Sequence, residues 1–294
     1  MSKHLQGKVV VVTGGTRGLG LAIAQACAET GAAVVVTSRT AAAVDAAVAS
    51  LRAAGHQAAG VPCDVANSAD VRAVKDLALT HFGRLDVWFN NAGVSAPFGP
   101  TLGVPPEHFL RVVQTNIVGT YNGSLIALQH FVAEGHGKLI NVYGAGDKKV
   151  RPFQNAYGSS KAWVRAFTET LAKEYKGCGV EVMGFNPGLV ITEMLSEVQV
   201  VPGYEEAVKP LATVVRLWGN PPAVPARKAA WLASGATDGR NGLVVRQLTP
   251  TALVAGACSG RDGGASPARR RLHFRSQSRQ YSALIAKKPS KTTV

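Results

Sequence analysis

Runs of β-branched residues alternate with helical patterns six or seven times along the 294 residues, and few architectures accept such a chain. Strands are expected at Val9–Val12, at Val34–Arg39, over 58–65, at Leu85–Phe89, at Lys138–Tyr143, at Val180–Phe185 and over 242–247. Helices are expected from about Leu19, over 41–54, 69–82, 107–134, 156–175 and 224–234, whereas 192–222 reads as irregular and broken by prolines. Strand–helix alternation of this kind forms a parallel sheet with right-handed crossovers and helices on both faces. Ligands then bind beyond the carboxyl ends of the strands.

The first strand runs into Thr13-Gly14-Gly15-Thr16-Arg17-Gly18-Leu19-Gly20 and then a helix. A glycine turn between strand and helix lets backbone approach a pyrophosphate, and the helix N-terminus offers it unpaired N–H groups. The spacing is G-x-x-x-G-x-G, which a simple tight turn also satisfies. Convergence of several motifs constrains the chain further. Ser38-Arg39, Asp64, Asn90–Gly93, Gly144 and Pro187-Gly188 also fall at predicted strand ends, so all should meet on one edge. This is the single-domain, seven-stranded Rossmann arrangement, over residues 1–250.

Tyr157 and Lys161 are four apart at the start of a predicted helix and share a face. An ammonium near a phenol stabilises its phenolate and lowers its pKa, making the tyrosine a general acid. An isolated Tyr-x-x-x-Lys is common; its place after four further strand units gives this one its weight. At the end of the second strand, where an acid would hold a ribose 2′-hydroxyl, the chain has Ser38 followed by Arg39. With Arg17 in the glycine turn, two guanidinium groups suit a 2′-phosphate, and hence NADP(H).

Together, Thr-Gly-x-x-x-Gly-x-Gly at 13–20, Asn90-Asn91-Ala92-Gly93, Asn116, Tyr157-x-x-x-Lys161 and Pro187-Gly188 with Thr192 resemble the short-chain dehydrogenase/reductase family over residues 5 to about 247. The resemblance implies a proton-donating Tyr157, with Lys161 binding the nicotinamide ribose and lowering the tyrosine pKa, and Asn116 holding a water that links the lysine to solvent. It places Gly14, Thr16, Arg17, Gly18, Leu19 and Gly20 around the cofactor phosphates. Asn91, Ala92 and Gly93 go against the adenosine half, Asp64 and Val65 at the adenine, and the segment Pro187, Gly188, Val190, Thr192 over the nicotinamide. It also implies a homodimer or homotetramer through helices 107–134 and 156–175.

One position departs from that family. The serine that polarises the substrate carbonyl lies thirteen residues before the tyrosine, and here the count reaches Gly144. The replacement is the Tyr143 or Ser159 hydroxyl, a backbone N–H or a water, or else catalysis is weak. Gly144-Ala145-Gly146 with Tyr157-Gly158-Ser159-Ser160-Lys161 resembles the chlorophyll b reductase branch, with Tyr143 where an acid is expected. The segment 192–222, which in the family that the chain resembles closes over the substrate, contains Leu195, Val198, Val200, Val201, Tyr204, Leu211 and Trp218; such a lid suits a small apolar aldehyde, ketone or alcohol, and a packed helical insertion would read the same. The rival reading is an NADP(H)-binding sensor or scaffold with little catalysis.

The net charge of +14 is unevenly spread. Residues 251–294 carry nine basic residues and one acid, in a Gly-, Ser-, Ala-, Pro- and Arg-rich stretch that reads as a disordered tail. The body is mildly basic, and only Phe274 and Tyr281 offer stacking in the tail, so nucleic acid is not expected as a partner. A solvated tail, an anionic membrane contact and an extension foreign to the fold all fit this composition. No apolar run is long enough to span a membrane, and the polar Met1–Lys8 shows no leader pattern. Cys27, Cys63, Cys178 and Cys258 are scattered, so neither a metal site nor a disulfide framework is expected, and the setting reads as cytoplasmic.

Overall fold

The computed structural model describes residues 4–248 and 273–276. Seven parallel strands form one sheet in the order β3-β2-β1-β4-β5-β6-β8. The strands are β1 (Val9–Thr13), β2 (Ala33–Ser38), β3 (Ala58–Pro62), β4 (Val87–Asn90), β5 (Gly137–Val142), β6 (Val180–Asn186) and β8 (Val244–Arg246); β7 lies outside this sheet. The order turns back at β1, so β1 and β4 diverge to opposite sides and open the crevice in which such sheets bind ligands.

The helices cover both faces because alternate strand residues point oppositely. Val10, Val12, Val34, Phe89, Ile140 and Phe185 pack under α1 (Gly18–Glu29) and α9 (Ala223–Ala233). Val11, Val35, Trp88, Leu139 and Val182 pack under α3 (Ser68–Phe82), α5 (Gly119–Glu134) and α6 (Asn155–Glu174). All five residues of β1 are buried, as a parallel strand covered on both sides requires. The remaining long helix of the sheet, α2 (Ala41–Ala53), joins β2 to β3 and ends before Gly55.

Two segments differ from the sequence pattern. The helix expected over 107–134 is continuous from α4 (Pro106–Val112) into α5, but residues Val113–Val118 form a π-helical turn. Asn116 lies in that turn and is fully buried. The segment read as irregular holds α7 (Glu193–Ser196), the short strand β7 (Glu197–Val200) and a 14-residue helix α8 (Glu205–Trp218). Pro210 does not break α8. It sits on the exposed side, where the carbonyl that its missing N–H leaves unpaired is open to solvent.

β7 pairs in parallel with β9 (His273–Ser276), and Val200 also bridges to Phe98. Four residues of the tail read as disordered are thus in a strand against the 192–222 segment; its remainder, with Cys258 and Tyr281, lies outside the described residues. Among the described residues no helix is long and apolar enough to cross a membrane. No group of His, Cys, Asp and Glu among them is arranged to hold a metal ion.

Candidate active site

Thr13, the last residue of β1, ties the two central loops together. Its Oγ1 donates to Phe89 O at 3.1 Å and accepts from the backbone N–H groups of Asn91 at 3.0 Å and Ala92 at 3.1 Å. Asn91 Nδ2 returns to Thr13 O at 2.9 Å and Gly14 O at 3.2 Å. The Asn90–Gly93 motif is therefore stitched to the glycine turn, as convergence at strand ends predicts. Asn90 itself points into the core, where it accepts from Trp88 Nε1 at 2.9 Å and donates to Asn141 Oδ1 at 2.8 Å and Ser124 Oγ at 3.0 Å.

The turn fits a dinucleotide. Gly14 has φ +62°, and a β-carbon at Gly20 would collide with Gly14 O and stand 2.5 Å from Asn91 Nδ2. The N-terminus of α1 has no side-chain cap and no acid in its first turn, leaving its N–H groups open to an anion. Ser38 Oγ, at the end of β2, is buried with no hydrogen-bond partner among the described residues, so its bonding capacity is unspent at the end of the strand. Arg39 beside it is exposed. Arg17 is exposed too, and its Nη1 lies 2.6 Å from Glu193 Oε2 on α7, a partner with no signal in the sequence. Asp64 lies beyond β3, which ends at Pro62; its carboxylate accepts from Ala66 N at 3.0 Å, while Val65 is buried and its carbonyl accepts from Asn122 Nδ2.

Across the crevice, α6 carries Tyr157 and Lys161. The Lys161 ammonium donates to Val142 O at 3.0 Å and lies 5.8 Å from the centre of the Tyr157 ring. Gly93 stands next to both Lys161 and Asn116: a β-carbon there would lie 3.6 Å from Lys161 Nζ and 3.5 Å from Asn116 Oδ1. The Asn116 side chain clasps Val94 in both directions, accepting from its N–H at 2.9 Å and donating to its carbonyl at 3.0 Å, and also donates to Ser160 Oγ at 3.0 Å. It braces the loop after β4 against α6.

The expected lowering of the Tyr157 pKa is not what this environment produces. Burial, together with the nearby charge of Asp147, pushes the phenol up to about 12. Burial pulls Lys161 down to about 8, against the opposing pull of Asp147. Desolvation disfavours both ions, and at this separation the ammonium does not offset it.

Neither side-chain hydroxyl offered for the missing serine serves the site. Tyr143 is buried, and its hydroxyl lies over Gly184 in β6, where a β-carbon would collide with it. Ser159 bonds back to Asn155 O within its own helix, on an exposed face. At Gly144 a β-carbon would collide with the Tyr157 hydroxyl, so the phenol end lies directly against the backbone there.

After β6, Gly188 has φ +71° and its N–H binds Asn186 Oδ1 at 2.9 Å, turning Pro187–Thr192 back over the crevice. Thr192 reaches the glycine turn, where a β-carbon at Gly18 would lie 3.3 Å from its Cγ2. Val190 bridges to Asn220 after α8. The Phe153 ring lies tilted against both Phe98 and Tyr204, with ring centres 5.4 Å and 5.6 Å away, joining this cover to the loops after β4 and β5. Sequence reasoning missed the ion pair of Asp147 Oδ2 and Arg246 Nη2 at 2.7 Å, because nothing local links the two.

Fold and site together define a nicotinamide-dinucleotide oxidoreductase acting on CH–OH and C=O groups. The chain belongs to the short chain dehydrogenase family, whose model matches residues 8–200. It is similar to glucose 1-dehydrogenase 2 of Bacillus subtilis, 31% identical over 236 residues covering 80% of this chain and 90% of the relative. It is also similar to a probable chlorophyll(ide) b reductase of Arabidopsis thaliana, 31% identical over 207 residues covering 63% of this chain and 41% of that protein. Among solved structures it matches a gluconate 5-dehydrogenase from Burkholderia cenocepacia in complex with NADP and tartrate, with TM-score 0.73, 28% identity and coverage of 85% and 96%. A 3-ketoacyl-(acyl-carrier-protein) reductase from Brucella melitensis complexed with NADH matches with TM-score 0.73, 28% identity and coverage of 83% and 97%.

Proposed function

We propose that the protein is an NADPH-dependent reductase of an aldehyde or ketone in an apolar molecule, with Tyr157 as the proton donor. The observation that carries this reading is the Tyr157 hydroxyl seated against the Gly144 backbone, one helical turn from Lys161 and across the crevice from the glycine turn. The bound nicotinamide supplies hydride. The chain supplies the rest. The glycine turn and the N-terminus of α1 hold the pyrophosphate, Ser38 and Arg39 take the ribose carrying the 2′-phosphate, and Lys161 binds the other ribose. Tyr157, held protonated by burial, donates to the carbonyl oxygen as negative charge develops on it. A backbone N–H of the Gly144–Gly146 turn or a water takes the place of the serine. The ring cluster Phe98, Phe153 and Tyr204 and the amphipathic α8 suit an apolar substrate.

The test is NADPH consumption with a panel of apolar aldehydes and ketones, including a formyl-bearing chlorophyllide, with Tyr157→Phe beside the native protein. Turnover that falls by roughly 10²–10⁴ in the variant supports the reading. Equal turnover in the two proteins removes Tyr157 from the chemistry. The absence of any side-chain hydroxyl at position 144 favours a second reading, a nucleotide-binding sensor. NADPH binding without turnover on any panel member would support it.

A further inference from the structure

Asp147 stands where the site's charges meet. The turn after β5 closes with Asp147 N donating to Gly144 O at 3.3 Å. Gly146, at φ +98°, lies against the backbone of Gly158 on α6, so closely that a β-carbon would collide with it. This approach seats Asp147 beside the helix turn that carries Tyr157 and Lys161. The residue is 8% exposed, far less than an aspartate in a surface loop. Its Oδ2 is 2.7 Å from Arg246 Nη2 at the end of β8, yet both atoms are buried without an aligned hydrogen bond. A buried ion pair left incomplete in its hydrogen bonds costs stability relative to apolar packing. Arg165, one helical turn beyond Lys161 on α6, reaches Asp147 O at 3.5 Å, so residue 147 borders the helix face that carries the pair.

We propose that Asp147 is a positioning residue: paired with Arg246 and seated by the Gly146–Gly158 contact, its carboxylate is the counter-charge of the Tyr157–Lys161 pair on α6. The inference rests on the reading of Tyr157 and Lys161 as the reacting pair. Other charges face the same space. Arg165 on α6 points its Nη1 at Asp147 O, 3.5 Å away, and is itself paired with Glu169 at 2.7 Å. Tyr143 packs from β5, Lys228 on α9 donates to Arg246 O at 3.4 Å, and Lys148, Lys149 and Arg151 follow in the exposed part of the loop. Among these groups Asp147 is the one buried carboxylate.

The sign of the effect separates this role from a structural one. Lys161 can be followed by ¹³C NMR of its side-chain ε-carbon in the full chain, assigned by its loss in Lys161→Met. Removing the negative charge with Asp147→Asn should lower the midpoint of its titration from about 8, by roughly half a unit or more. Asp147→Glu should restore it. Removing the positive charge with Arg246→Gln should move it upward. A mutation that merely loosened the loop would not shift the midpoint in opposite directions for opposite charges. Native midpoints in both Asp147→Asn and Arg246→Gln overturn the proposal. Should Asp147→Asn fail to fold, an unchanged or lowered midpoint in Arg246→Gln overturns it alone. The titration requires no turnover, so its failure is distinct from that of the reductase reading, which the Tyr157→Phe comparison decides.

Discussion

The Tyr157 hydroxyl occupies the volume that a β-carbon on residue 144 would need, so Gly144 is a requirement of the tyrosine's position. Restoring serine at 144 therefore does not simply return a missing hydrogen-bond donor. Gly144→Ala and Gly144→Ser should both push the phenol off its seat and reduce turnover by roughly ten-fold or more, because a misplaced proton donor forfeits orientation. NADPH affinity should fall less than turnover, by about two- to five-fold, since the new β-carbon would also stand 3.3 Å from Lys161 Cγ while the phosphate-binding turn lies elsewhere. Turnover assays with nucleotide titration check this. A Gly144→Ser protein more active than the native one would refute it.

Asn116 should behave as a brace. It is fully buried and makes three hydrogen bonds, two to Val94 and one to Ser160. Asn116→Ala would leave the Val94 N–H and carbonyl and the Ser160 hydroxyl without that partner, at a cost of roughly 2–4 kcal/mol by chemical denaturation. A loss below about 0.5 kcal/mol would show that the loop after β4 holds itself.

The parallel sheet and the edge carrying the site follow from the alternation of apolar strands with helices, which is why Thr13, Asn91, Ser38 and Gly188 fall at strand ends on that edge. Local rules failed where tertiary contacts decide. Nothing in Val113–Val118 announces a π-helical turn; the feature that accompanies it, the reach of Asn116 to Val94, spans 22 residues and has no local signal. Pro210 reads as a breaker, yet α8 runs through it from Glu205 to Trp218 with the proline on the exposed side. The Tyr157 pKa was expected to fall from proximity to Lys161 alone; burial depth, which sequence spacing does not encode, reverses it. Asp147 and Arg246 are far apart in the chain and meet only when β5 and β8 end on the same edge.

The arginines of the nucleotide end should separate by their present partners. Arg39 is exposed and has no carboxylate partner among the described residues, so Arg39→Ala should weaken NADPH binding by roughly ten-fold while sparing NADH, as loss of a guanidinium–phosphate contact does. Arg17 is held by Glu193 at 2.6 Å, with side chains 76% and 56% exposed. Exposed pairs of this kind are worth at most about 1 kcal/mol, so Glu193→Gln should release Arg17 and tighten NADPH binding by only a few-fold. Calorimetric titration with both nucleotides measures these differences. Equal losses for NADH and NADPH in Arg39→Ala would remove the case for a 2′-phosphate site.

Lys161 should lower the stability of the fold that it serves. Burial holds its pKa at about 8, against an ordinary 10.5. Between those values the unfolded chain binds more protons than the folded one, so stability rises with pH through that window. Below pH 8 the full penalty of keeping a buried ammonium applies, on the order of 3 kcal/mol. Lys161→Met removes the charge but leaves Val142 O without its donor, which costs about 1 kcal/mol. The variant should therefore be more stable than the native protein by about 2 kcal/mol at pH 7, with the advantage shrinking as pH approaches 10.5. Its turnover should fall sharply over the same range. Urea denaturation of both proteins at pH 7 and pH 10 decides the matter. The groups that titrate at higher pH, including Cys63 and Tyr157, are common to both and cancel in the difference. A stability difference independent of pH would mean that the ammonium is solvated in the folded state.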